Sequence, residues 1–377
     1  MTPSHNQQEL RALTSLEAAC ALLMERLAPV APVSLALGEA LGCICAEPVT
    51  ASLHPPQAIA LRDGWALHSH EIIGASNYAP VMPASPPLAI EAGEALPPGY
   101  DCVVEPYGVE IVGPMAQVMV EAAPGANVRR PGEDASAGQA LLAQGQSLRP
   151  GDLACAALLG LTHVSVRQPH VAIVDAPARD GACVTRDFLA RALASDGARV
   201  SLTQSADRSA QAIAAALKGL RADLILILGG TGSGASDHGV AALRLCGEVH
   251  LHGLALEPGR SAAIASVNDT DVIALPGLFD QAFGVWLGLV RPALDRLTLR
   301  QPRAPLRLAL TEKISSRVGV AEVALLRREG DAFRPLAVGD LPLQCLTAAT
   351  HAAIIGAGAE GHAAGETVEA FGLAGAE

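Results

Sequence analysis

Residues 223–238 read Asp-Leu-Ile-Leu-Ile-Leu-Gly-Gly-Thr-Gly-Ser-Gly-Ala-Ser-Asp-His, an apolar stretch of strand length that empties into a glycine-rich turn. Small residues at Gly230, Gly232 and Gly234, with Thr231 and Ser233 between them, let backbone N–H groups approach a ligand. A helix starting near His238, capped by Ser236 or Asp237, would add its positive dipole end. That chemistry suits an anion, a phosphate above all. The spacing Gly229-x4-Gly234-Ala235-Ser236 nearly spells a nucleotide P-loop, but Ala235 stands where the phosphate-binding lysine belongs, so an ordinary ATPase or GTPase is excluded. Asp237, directly after the loop, is a candidate for metal binding or for handling a transferred group.

Other chemistry-bearing residues are more scattered. Asp63 precedes a glycine, as Asp237 follows a glycine loop, and both adjoin expected strand ends. His68-x-His70 and His250-x-His252 each place two imidazoles on one face of a strand, yet no third metal ligand lies near either pair in sequence. Cys43-x-Cys45 has no second pair to complete a zinc site, and Cys183 and Cys246 read as buried, inert thiols.

The elements that must position these residues change class along the chain. Residues 8–27 carry Leu10, Leu13, Leu16, Ala19, Cys20 and Leu23 at helical spacing. A second short helix is expected over 34–41 and a strand-like piece over 43–51. Short extended segments broken by Pro and Gly follow (81–90, 101–104, 109–112, 116–121), and 140–160 returns to helix. From residue 170 strands and helices alternate: strands 171–174, 199–203, 224–228, 249–256 and 272–275, helices 185–197, 207–220, 238–246 and 279–297. Such alternation predicts a doubly wound sheet of parallel strands, with ligands at the carboxyl ends, where the glycine loop falls. The stretch 300–305 reads as a linker, and 306–315, 322–327, 352–355 and 367–371 as strands of a small C-terminal domain.

The expected organisation is therefore an α/β multidomain chain in which a β-rich domain (51–137) interrupts a helical and linker domain (1–50 plus 138–168). A central three-layer α/β domain (169–302) and a C-terminal β domain (303–377) complete it. With 377 residues, 50% hydrophobic but only 3% aromatic, the core must be built from Ala, Val, Leu and Ile. A net charge of −12 argues against nucleic-acid or anionic-membrane binding. The absence of a long apolar run and of a signal-peptide pattern, with unpaired cysteines, points to the cytoplasm.

Several segments together resemble the molybdopterin molybdenumtransferase family, which includes MoeA and the C-terminal region of gephyrin. Arg62-Asp63-Gly64-Trp65-Ala66 is similar to its Asp-Gly-Tyr-Ala signature, and residues 95–105 (Ala-Leu-Pro-Pro-Gly-Tyr-Asp-Cys-Val-Val-Glu) to its β-domain segment. Arg129-Arg130-Pro131-Gly132-Glu133-Asp134 matches its Arg-x-x-Gly-Glu-Asp turn. Glu257-Pro258-Gly259-Arg260 and Leu275-Pro276-Gly277 resemble its Lys-Pro-Gly-Lys and Leu-Pro-Gly-Asn-Pro elements. Order and spacing hold over nearly the whole chain.

The resemblance implies a homodimer that inserts molybdate into adenylylated molybdopterin and releases AMP, assisted by a divalent cation such as Mg2+; a molybdoenzyme or another cofactor-assembly protein would be a further partner. It implies catalytic roles for Asp63 and Asp237 and metal binding by Asp63, Asp134, Asp207 and Asp237. Cofactor binding would fall to Gly230, Thr231, Gly232, Ser233, Gly234, Arg260, Pro276 and Gly277. The chain also departs from the family pattern. Asp175-Ala176-Pro177-Ala178-Arg179 stands for Ser-Thr-Gly-Asp-Glu, Ala92-Gly93 for Thr-Gly, and Glu257 reverses the charge of a lysine. Leu278-Phe279 replaces Asn-Pro, while Val320 and Asp340 replace Arg and Ser. These changes leave open a second expectation: a noncatalytic protein that binds or delivers molybdopterin or the finished cofactor.

Overall fold

The computed structural model describes residues 13–113, 115–177 and 184–373, so Arg179 and Cys183 lie outside the described residues. The chain forms two compact units: residues 48–143 with 154–161, and the remainder.

In the larger unit, a six-stranded sheet runs in the order Arg199–Gln204, His170–Asp175, Leu224–Leu228, Thr270–Leu275, Ala263–Val267, Glu248–His252. The first four strands are parallel and the last two antiparallel, so the expected all-parallel sheet is mixed. The short turn at Asn268 and Asp269, both with positive φ, forces that hairpin return. Both faces of the central strands are covered. Leu224, Leu226 and Leu228 point into one core, which also holds residues of the helices Val184–Ser195 and Phe279–Val285. Ile225 and Ile227 point into the other, with the helices Ala210–Leu217 and Gly239–Cys246. This is why 224–228 reads as an unbroken apolar run: burying each such side chain contributes roughly 1.5–3 kcal/mol, and strand alternation sends them to both layers.

The expected strand over 249–256 is split. Gly253, at φ 104°, redirects the chain, and Leu254–Glu257 leaves the α/β sheet to pair in parallel with Thr14–Ser15 and with Ala321–Glu329. The C-terminal sheet closes on itself, because Ala321–Glu329 also pairs with His351–Ile355.

Four local expectations are corrected. Of the helix expected over 8–27, residues 8–12 lie outside the described residues, and the described helix covers Leu16–Arg26; Ser15 caps it by accepting from the Ala18 N–H at 3.2 Å, and Pro29 follows its end. Residues 34–41 do not form an α-helix: Val33–Ala36 is a strand whose backbone pairs with His163–Arg167, and only Leu37–Glu39 makes a single 3-10 turn. Residues 140–160 are not one helix either. Ala140–Leu142 pairs with Val49–Thr50, Gly145 turns the chain at φ 79°, and the helix begins at Pro150, whose ring suits a first turn. The helical run from Phe279 to Thr298 contains a π-type turn over Trp286–Val290. Pro292 lacks the N–H that would bond the Gly288 carbonyl four residues back, and the Cys20 thiol donates to that carbonyl instead, at 3.2 Å.

The smaller unit consists of short sheets, among them Gly64–Leu67 flanked by Leu88–Ile90 and Cys102–Val104, and the hairpin Val109–Val112 with Met115–Val118. Gly64 is required here: a Cβ would come within 2.1 Å of the Val104 carbonyl oxygen.

Candidate functional site

The parallel strands ending at Asp175, Leu228 and Leu275 open onto a pocket of about 680 Å3, within the range of small-molecule sites. It lies at the carboxyl ends of the strands, where helix starts and turns converge. Gly229 (φ 88°) and Gly230 (φ 74°) hold the left-handed conformations that turn the backbone out of the central strand. The Gly230 carbonyl accepts from Gly239 N at 2.7 Å, and a Cβ on Gly230 would meet that nitrogen at 2.8 Å. Close backbone approach, not flexibility, therefore demands glycine there.

Asp237 does not cap the helix Gly239–Cys246; the cap position is His238, without a side-chain bond. Instead Asp237 folds back over the loop. Its Oδ2 accepts from Gly234 N at 3.0 Å, and a Cβ on Gly232 would come within 2.6 Å of the same oxygen. Thr231 is buried, its hydroxyl 2.9 Å from the Ser261 hydroxyl, and its carbonyl oxygen lies 2.9 Å from His252 Nε2. With a carbonyl as acceptor, His252 Nε2 carries the proton, and burial lowers the imidazole pKa below its ordinary value. His252 is thus part of the loop's support rather than half of a metal pair. On the opposite wall, the Thr185 hydroxyl donates to the Gly277 carbonyl at 3.0 Å.

Of the residues expected to bind cofactor, Gly230, Thr231, Gly232, Gly234, Pro276 and Gly277 all line this pocket, together with Asp237. Ser233 and Arg260 are exposed and are not among the lining residues; Ser261 faces the pocket beside Arg260. Asp207 is not a lining residue either. Its Oδ1 accepts from Ser209 N at 2.7 Å, shaping the entry to the helix Ala210–Leu217, and the Ser209 hydroxyl, together with that backbone bond, lowers its pKa. Glu257 is also absent from the wall; it pairs in register with Glu322 of the C-terminal sheet. Asp63 and Asp134 belong to the smaller unit. Asp63 Oδ1 accepts from Ala92 N at 2.8 Å, and Asp134 pairs with Arg129 at 2.9 Å.

Arg208, not singled out from the sequence, completes the wall together with Asp175, Leu278 and Phe279, which the sequence marked only as departures from the family pattern. Arg208 lines the pocket, its Nη2 3.6 Å from Asp237 Oδ1. Asp175, buried at the end of its strand, lies 3.5 Å from Arg186. Leu278 and Phe279 form an apolar lip, with Phe279 packed edge-on against Phe188. The one available signal for Arg208 and Ser261 was adjacency to Asp207 and Arg260: the right turns were identified, but the neighbouring side chain faces inward. Among the described residues, no three His, Cys, Asp or Glu side chains gather closely enough to hold a metal.

The fold and pocket define a doubly wound α/β protein with a glycine-rich loop lining a pocket at its strand ends, attached to a β-rich unit and a C-terminal barrel. Two family models match: the MoeA N-terminal region (domain I and II) over residues 14–160, and a probable molybdopterin binding domain over residues 184–296. The chain belongs to the molybdopterin molybdenumtransferase (MoeA) family. It is 28% identical over 334 residues to molybdopterin molybdenumtransferase 2 of Mycobacterium tuberculosis, covering 76% of this chain and 80% of that one. It is 26% identical over 316 residues to the molybdopterin molybdenumtransferase of Haemophilus influenzae, covering 76% and 78%. The fold matches the crystal structure of the molybdopterin biosynthesis MoeA protein from Pyrococcus horikoshii with a TM-score of 0.68 at 22% identity, over 96% of this chain and 100% of the other.

Proposed function

We infer that this protein acts in molybdenum cofactor biosynthesis as a molybdopterin molybdenumtransferase, inserting molybdate into molybdopterin held in the α/β pocket. The observation that carries this reading is the convergence of the Gly229–Asp237 loop and the Leu275–Gly277 turn on one cavity at the strand ends. The loop N–H groups and Arg208 would hold the ligand's phosphate, and the Leu278–Phe279 lip would cover an apolar or planar part of it. Asp237, which lines the pocket, would orient the transferred group.

Adenylylated molybdopterin as substrate, with AMP as product, is the finer form of the proposal. A Mg2+ ion would be held by one or two carboxylates together with substrate phosphates, which is how this ion usually binds. The described residues do not build a complete cage for it by themselves, and Asp207 is turned into its own helix entry. A homodimer, and roles for Asp63 and Asp134 in the assembled site, belong to the same proposal.

The test is turnover of adenylylated molybdopterin with molybdate, followed by AMP release. The expected result is product formation that Asp237→Ala and Asp63→Ala abolish. Pairing of both pocket carboxylates with arginines, Asp175 with Arg186 and Asp237 with Arg208, favours a second reading as a carrier. Molybdopterin binding with no turnover in the wild-type protein would select that reading. Light scattering at micromolar concentration tests the dimer.

A further inference from the structure

We propose that Arg208 is the residue that reads the anionic group of the pocket's ligand, a phosphomonoester or diphosphate. This deepens the proposed function and rests on its placement of the ligand. Three observations support it. First, Arg208 is the one lysine or arginine among the described residues that line the pocket. Arg260, the cation expected there, is exposed and is not among the lining residues.

Second, the guanidinium is held in place but has donors to spare. One Nη1–H donates to the Pro177 carbonyl at 2.7 Å, and Nη2 stands 3.6 Å from Asp237 Oδ1, beyond hydrogen-bond length. A guanidinium carries five N–H donors in a planar fork, and that fork suits two oxygens of a phosphate. The Nε atom is buried without a hydrogen-bond partner among the described residues.

Third, the neighbouring arginine is already committed. Arg186 lies 3.5 Å from Asp175 and 2.9 Å from Asp187, so Asp175 is neutralised and does not repel an anion on that side. The Arg208 and Asp237 charges offset each other in the same way until a phosphate oxygen, which can come closer than 3.6 Å, takes the Nη2 donors. The Gly234 N–H still anchors Asp237 through its other oxygen, so the loop keeps its shape when this happens.

The experiment measures binding of inorganic pyrophosphate and, separately, of molybdopterin to wild type, Arg208→Gln, Arg208→Lys and, as a control at the far end of its strand, Arg199→Gln. Circular dichroism and melting temperature establish that each variant folds. A lost charge-assisted pair corresponds to about 10- to 100-fold in affinity. The expected result is that loss of pyrophosphate affinity in Arg208→Gln, a smaller loss in Arg208→Lys, which keeps charge but not the fork, and none in Arg199→Gln. Equal pyrophosphate binding by wild type and Arg208→Gln, or none by wild type, overturns the proposal. Discrimination of pyrophosphate by Arg208 with no molybdopterin binding by wild type sustains the role of Arg208 and overturns the proposed function instead.

Discussion

The Thr231 and Ser261 hydroxyls lie 2.9 Å apart, joining the glycine loop to the turn that follows Arg260. Thr231 is 2% exposed, so its hydroxyl depends on this partner. Ser261→Ala leaves it without that bond in a buried position, which costs about 1–3 kcal/mol. Urea denaturation is expected to report that loss, and Ser261→Thr to recover most of it. Wild-type stability in Ser261→Ala would mean that the hydroxyl pair contributes nothing.

Gly232→Ala places a methyl group 2.6 Å from Asp237 Oδ2. The carboxylate must move, and the Gly234 N–H bond that shapes the loop goes with it. Because the loop is partly exposed, the fold should survive with a small loss of stability. Binding of phosphorylated ligand is expected to fall by about tenfold or more, since a misplaced donor forfeits roughly 1.5 kcal/mol or more. Isothermal titration checks this; unchanged affinity would show that the loop is not the cradle.

Burial holds the imidazoles of His252 and His351 below the ordinary histidine range. Around the free-imidazole pKa of about 6.5, the unfolded chain therefore binds more protons than the folded one, and stability rises with pH. This contribution is complete above that value and is lost as pH falls from it towards the folded-state values. Urea midpoints should decline from about pH 7.5 to about pH 5.5, and His252→Gln should flatten the decline. A slope that His252→Gln does not change would remove His252 as a cause.

Arg303 bridges Asp196 at 3.1 Å and Asp295 at 2.8 Å, pinning the chain after residue 300 to the α/β helices. Arg303→Ala leaves two largely buried carboxylates short of a counter-charge, although Arg300 still reaches Asp196 at 3.1 Å. The expected destabilisation is about 3 kcal/mol, near the value for breaking a buried pair. Arg303→Met, which restores volume but not charge, should recover little of it. Full recovery would show that packing, not charge, holds the contact.

The larger elements were legible because their signals are local. The run 224–228 reads as the central strand from its length and apolar composition, and Gly229–Gly234 as a turn of close backbone approach. The errors fell where partners distant in sequence decide. Val33–Ala36 has a composition that suits either class, and pairing with His163–Arg167 makes it a strand. Glu248–His252 and Leu254–Glu257 look continuous until Gly253 sends them to different sheets.

The same division holds for the site. Sequence alone located the glycine loop, since a turn of close backbone approach needs only glycine spacing after a strand, and it identified the turns that carry Asp207 and Arg260. Tertiary structure decided which side chain of each turn faces the pocket. At Asp207 the carboxylate is spent on Ser209 N and Arg208 turns inward; beside the exposed Arg260 it is Ser261 that meets Thr231. A one-residue step along a turn swings a side chain to another direction, and only the packing of strands, helices and loop around the pocket selects between neighbours.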